Sequence, residues 1–121
     1  MTNEEATKIL VEWVDTIGLH DWDIHLAWQC KPEEVPEHDC AGYSSFDETT
    51  KTAMIYIVDE KYIDCCPFKY DYEVTLVHEL MHLKTAILTD MNRDSLQSRM
   101  MHCLVEDMAK ALVKAKRTLP E

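Results

Sequence analysis

Glycine is scarce in this chain, with only two in 121 residues, and that excludes collagen-like, linker-like and other low-complexity classes. With 46% hydrophobic residues, a chain of this length can build one modest core, so a single domain is expected over residues 1–121. Long apolar runs are missing as well. No stretch of about 18 apolar residues occurs, and Met1-Thr2-Asn3-Glu4-Glu5 has neither a basic nor an apolar leader region, so a soluble cytoplasmic protein with no membrane partner is expected. Basic residues are few, 12 Lys and Arg against 23 Asp and Glu, for a net charge of −11. Nucleic acid is excluded as a partner on that balance, because phosphate contacts need a basic patch. The basic cluster at 110–117 is expected to be a helix C-terminus complementing its own dipole. Paired cysteines are absent too: Cys30, Cys40, Cys65, Cys66 and Cys103 are an odd set without a Cys-x-x-Cys, which indicates reduced thiols and no zinc ribbon.

What the chain does have is His78-Glu79-Leu80-Met81-His82, set in an apolar run that begins at Val74. Two imidazoles four residues apart share one face of an α-helix, a turn apart, so both can ligate one metal ion with Glu79 projecting beside them. Catalytic zinc takes three protein ligands and leaves a position for water, which it acidifies toward pKa about 7. Glu79 is then the candidate general base, and it can return the proton to a leaving amine. Apolar residues cover almost the whole circumference of 74–88, with Glu73 and Lys84 marking one narrow polar strip away from the histidines. Such a helix is expected to be buried. Burying two imidazoles and a carboxylate without partners costs on the order of several kcal/mol, and a shared metal supplies the partner.

The remaining pattern predicts helix, three strands, helix, helix: one α+β domain. Ile9, Leu10, Trp13, Val14 and Ile17 give residues 3–17 an amphipathic face behind capping residues at 2–5, and Gly18 ends that helix. Residues 22–28 alternate as a strand, residues 31–39 with two prolines form a loop, and 41–46 with 52–58 flank a polar turn at 47–51. Ser44 and Ser45 weaken the first strand of that hairpin and place it at the edge of a small mixed sheet. After a segment at 59–70 broken by Pro67, the motif helix is expected over 71–88 and a turn over 89–93. A last helix, capped by Asp94 or Ser95, runs to Arg117 with an apolar stripe of Met101, Leu104, Val105, Met108, Ala109 and Leu112.

That last helix offers His102 and Glu106, four residues apart and both bordering its apolar stripe, as sources of a third ligand. Cys103 is not expected at the metal, since adjacent helical residues point about 100° apart.

The motif at 75–82, the Trp22-x-Ile24-x-Leu26 and Ala53-x-Ile55-x-Ile57 strands, the opening helix and the closing 104–112 segment resemble the zincin metallopeptidases. Within them the chain is most similar to single-domain minimal gluzincins and small metallopeptidases of phage and prophage type. The resemblance implies a zincin-like α+β fold, Zn2+ as cofactor and a peptide or protein substrate. Gluzincins take a glutamate from the downstream helix as third ligand, with an acid four residues later that orients the first histidine. Here the position 20 residues beyond His82 holds His102, and the orienting acid falls at Glu106. Either His102 replaces the ligand glutamate and Glu106 partners His78, or the 89–94 loop shifts the register and Glu106 ligates. His102 is preferred, since imidazole is an ordinary zinc ligand and the spacing needs no adjustment.

Two functions are carried forward. One is a zinc peptidase that takes an extended peptide beside the weak edge strand 42–46, with an acidic balance favouring basic or unfolded substrates. The other is a zinc-binding domain of the same fold without strong activity, acting as a phage-type structural or regulatory module. Oligomeric state is left open.

Overall fold

The computed structural model describes residues 2–36, 41–63, 70–86 and 95–119. The expectations for 37–39, the 64–69 segment with Pro67, the end of the motif helix at 87–88, the 89–93 turn, Asp94, Cys40, Cys65 and Cys66 lie outside them. The element order is α1 (Asn3–Ile17), β1 (Asp23–Cys30), β2 (Gly42–Asp47), β3 (Thr52–Val58), α2 (Tyr72–Lys84) and α3 (Leu96–Thr118), with short 3-10 turns after β1 and β3. This is the α+β arrangement of three helices and a three-stranded mixed sheet that the pattern predicts.

Local chemistry sets the boundaries. Thr2 and Glu5 form a capping box at the start of α1, each side chain accepting from the other's backbone N–H at 3.1 and 3.4 Å. At its end Gly18 adopts φ 81°, a left-handed cap costly for a residue with a Cβ, and its N–H donates to Val14 O. The hairpin turn is held by Asp47, whose Oδ1 accepts from Thr49 N at 2.8 Å.

The sheet order is β1-β3-β2, with β1 parallel and β2 antiparallel to β3. β3 is central, and its Ala53, Ile55, Ile57 and Val58 are buried. β2 lies at an edge, as its serines predict. β1 runs two residues beyond the expected strand, through an irregularity between Ala27 and Cys30 where Gln29 takes φ 55°.

Helix α2 packs on β2 and β3, and also meets α1 and α3. That central place explains its all-round apolar character: Leu76, Val77, Leu80, Met81 and Leu83 join Leu10, Trp13, Ile55, Ile57, Val105, Ala109 and Val113 in one core. Among the described residues the helix ends at Lys84. Thr85 takes a non-helical ψ of 10°, and its N–H and hydroxyl both donate to Met81 O, at 3.0 and 2.9 Å.

Two expectations about faces are corrected. Glu73 does not mark a polar strip: it is 9% exposed and hydrogen-bonded inside the fold. Leu104 and Met108 are not core residues of α3 but 50% and 38% exposed. The helix is rotated so that Val105, Ala109 and Val113 face the core, which swings Leu104 and Met108 outward and turns His102 and Glu106 toward α2. Ser95 caps α3, its Oγ accepting from Ser98 N at 3.0 Å. Among the described residues no helix is long and apolar enough to cross a membrane.

Candidate metal centre

Helices α2 and α3 run antiparallel, since Asp71 and Glu73 meet Arg117 at one end while His78 meets Glu106 at the other. The antiparallel pairing sets the histidine pair of α2 against His102. Their candidate ligand atoms all lie within 4.8 Å of one another, and His78, His82 and His102 are the one such group among the described residues. His78 and His82 bring their Nε2 atoms to 3.1 Å, and the His102 ring lies 4.8 Å from that of His78 and 5.6 Å from that of His82.

Three imidazoles in contact, with no acid among their ligand atoms, make a cation-seeking arrangement. Two nitrogens each about 2.0–2.1 Å from a tetrahedral ion stand about 3.4 Å apart, so the His78–His82 pair is already near ligand spacing and His102 needs a contraction of about 1.4 Å at most. The donor set therefore fits a divalent metal of the zinc kind. The site is graded in depth: His78 is buried, His82 half-buried and His102 exposed, so the cluster opens to solvent on the α3 side.

Glu106 is not among the converging ligand atoms. Its Oε1 lies 3.1 Å from His78 Nδ1. A carboxylate beside Nδ1 requires the proton there, which leaves the Nε2 lone pair of His78 facing the cluster. Burial pushes the His78 pKa below its ordinary value; Glu106 opposes that shift, while His102 and Lys110 add to it. Burial, with the neighbouring His78 and His102, takes His82 down to about 4. Both rings are neutral at neutral pH, the form in which imidazole ligates a metal.

Glu79 is 7% exposed on the same helix. Its Oε2 sits beside β2, at 3.2 Å from where a Cβ on Gly42 would stand. Tyr70, just before α2, donates its hydroxyl to Ala41 O at 3.4 Å, and burial holds its pKa well above the usual phenol range. Sequence reasoning did not single out Tyr70 or Gly42. A glycine inside a strand, which signals a close approach, was the available clue to the second.

The structure thus brings together His78, His82 and His102 and puts Glu106 behind His78, while Glu79 is buried on the same helix against Gly42 of β2. Cys103 is exposed, free and outside it. The other two described histidines stand elsewhere, His20 beside Asp15 and His25 beside Asp23 on the surface.

A separate polar cluster ties the far ends of the same helices. Glu73 accepts from Trp13 Nε1 at 2.7 Å, pairs with Lys116, and lies 3.2 Å from Arg117; Arg117 also forks onto Asp71 at 2.6 and 3.0 Å. Lys116 and Arg117 of the basic cluster therefore bind specific acids on α2, beyond complementing a dipole.

No family model matches the chain, and neither a curated protein nor a solved structure matches it.

Proposed function

We propose that this chain is a zinc-dependent peptidase of zincin type. The observation that carries the reading is the convergence of His78, His82 and His102, two of them from the helix on which the carboxylate of Glu79 is buried. A structural zinc site is closed by four protein ligands, whereas three histidines leave a position open. When bound, the metal would polarise the scissile carbonyl and lower the pKa of water to about 7.

The chain's own groups do the rest. Nε2 of His78, Nε2 of His82 and a ring nitrogen of His102 would hold the ion, and Glu106 keeps His78 in the ligating tautomer. Glu79 accepts the proton of the attacking water and delivers it to the departing amine.

The free side of β2 receives the substrate. Val58 N donates to Ala41 O, and β2 is antiparallel to β3, so the backbone groups of Gly42, Ser44 and Phe46 point away from the sheet. Among the described residues no strand occupies that edge. An extended peptide can add there by main-chain hydrogen bonds, at the strand that flanks Glu79.

One observation favours the second reading, a metal-binding module that acts through protein contacts: Leu96, Met100 and Leu104 form an exposed apolar row on α3. The two readings separate experimentally. Glu79→Gln should keep stoichiometric zinc and the fold while eliminating cleavage of a peptide library, because the amide cannot take the proton. Unchanged cleavage by this variant refutes the assigned mechanism, and zinc binding without cleavage by the wild type selects the interaction module.

A further inference from the structure

One of the chain's two glycines caps α1; the other, Gly42, begins β2 directly beneath α2. Its φ lies outside the positive range, so the backbone there does not require glycine. Glycine is a poor strand former, and in a strand that demands no special conformation it marks a place where something else approaches closely. A Cβ at this position would stand 2.6 Å from Thr75 Cγ2, 3.2 Å from Glu79 Oε2 and 3.3 Å from Tyr56 O.

Only one of these three neighbours can yield cheaply. Tyr56 O belongs to the central strand. Thr75 is β-branched on a helix, and its hydroxyl is bonded back to Asp71 O at 3.2 Å, so turning the methyl away breaks that bond. The Glu79 carboxylate is the far end of a flexible side chain.

We propose that Gly42 is a positioning residue for Glu79: the missing side chain keeps open the volume between β2 and α2 that the Thr75 methyl and the Glu79 carboxylate occupy. The mechanism rests on the peptidase reading of Glu79, but the steric relation does not. A methyl at residue 42 forces the Thr75 side chain, 2.6 Å away, to turn or shift and presses on the Glu79 carboxylate at 3.2 Å, and its three nearest atoms include none from His78, His82 or His102.

The test compares Gly42→Ala, Thr75→Ser and the double variant Gly42→Ala/Thr75→Ser with the wild type, all as zinc-loaded full-length protein. Gly42→Ala should bind one zinc like the wild type, with kcat reduced on the order of 100-fold, the usual consequence of a misplacement of about 1 Å, and KM little changed. Thr75→Ser alone keeps its hydroxyl bond and should behave as the wild type. In the double variant the lost Cγ2 relieves the contact with Thr75 but not the 3.2 Å contact with Glu79, so kcat should return only in part. Crystal structures of the wild type and Gly42→Ala, with and without zinc, should show the Thr75 side chain turned, the Glu79 carboxylate moved and the β2 and α2 backbones superposed. Wild-type kcat in Gly42→Ala overturns the proposal, as does a Glu79 that stays put while β2 shifts, or a loss of zinc together with activity. If the wild type cleaves no peptide the peptidase reading fails, and the two crystal structures still decide whether Gly42 sets the position of Glu79.

Discussion

At one end of the α2–α3 pair a buried carboxylate, Glu73, is surrounded by the Trp13 indole N–H, Lys116 and Arg117; at the other end His78, His82 and His102 crowd together with ring nitrogens facing one another. Both ends bury polar groups on the same two helices, but only the first contains its own opposite charges. There the carboxylate is matched by two cations and a neutral donor, so the cluster is complete without any ligand. The histidine end gathers like donors, and the acid Glu106 is directed at the back of His78. A self-compensated cluster holds structure together. A cluster of one donor type, in which burial holds His78 and His82 toward neutrality, could take a metal ion from outside.

The sharpest way to break this comparison is at His102. His102→Ala should weaken zinc binding far more than Glu106→Gln, which should lose about 10- to 100-fold, the usual cost of altering a group that orients a ligand. A competitive titration against a chromophoric chelator reads both. The reverse ranking would make Glu106 the ligand and His102 a bystander.

A smaller effect is expected at the opposite end. Glu73→Ala leaves the Trp13 N–H and two cations without their acceptor and should cost about 1–3 kcal/mol in urea unfolding, followed by tryptophan fluorescence. Zinc affinity should not change. A parallel loss of zinc would show that the two ends act as one unit.

The mildest distinction is in pH, measured on chelated protein. Burial, with His78 and His102, takes His82 from 6.5 down to about 4, so its folded pKa is below the unfolded one. Stability from keeping this ring neutral is present above pH 6.5 and is lost as pH falls through that window toward 4. For Glu73, burial acts upward, but Lys116, Trp13 and Arg117 outweigh it and lower the pKa from 4.5. Its contribution is present above pH 4.5 and is lost only below. His82→Leu should therefore flatten the stability profile between pH 6.5 and 4, and Glu73→Gln should flatten it below 4.5. A single shared window in both variants would contradict the separation.

Much of this was legible in one dimension. The apolar circumference of α2 predicts its burial because periodicity reports which faces are dry, and the two serines of β2 predict its edge position because an edge strand tolerates polar groups on both faces. The faces of α3 were misread where its apolar residues exceed one stripe: with Leu104, Met108, Val105 and Ala109 all apolar, no count chooses which pair turns inward. Glu73 was misread because its partners lie 43, 44 and 60 positions away, beyond any helical repeat.

By itself the sequence determined the histidine pair and the acid beside it, since His78, Glu79 and His82 are related by the pitch of one helix and need nothing else to be aligned. It also limited the third ligand to residues of the last helix. Only the tertiary structure groups His102 and not Glu106 with the histidine pair, because that grouping depends on the rotation and antiparallel register of α3 against α2, which are set by packing Val105, Ala109 and Val113 into the core and by the Asp71–Arg117 and Glu73–Lys116 pairs at the far end. The same packing brings Gly42 under Glu79, a contact across 37 residues of chain that no local pattern encodes.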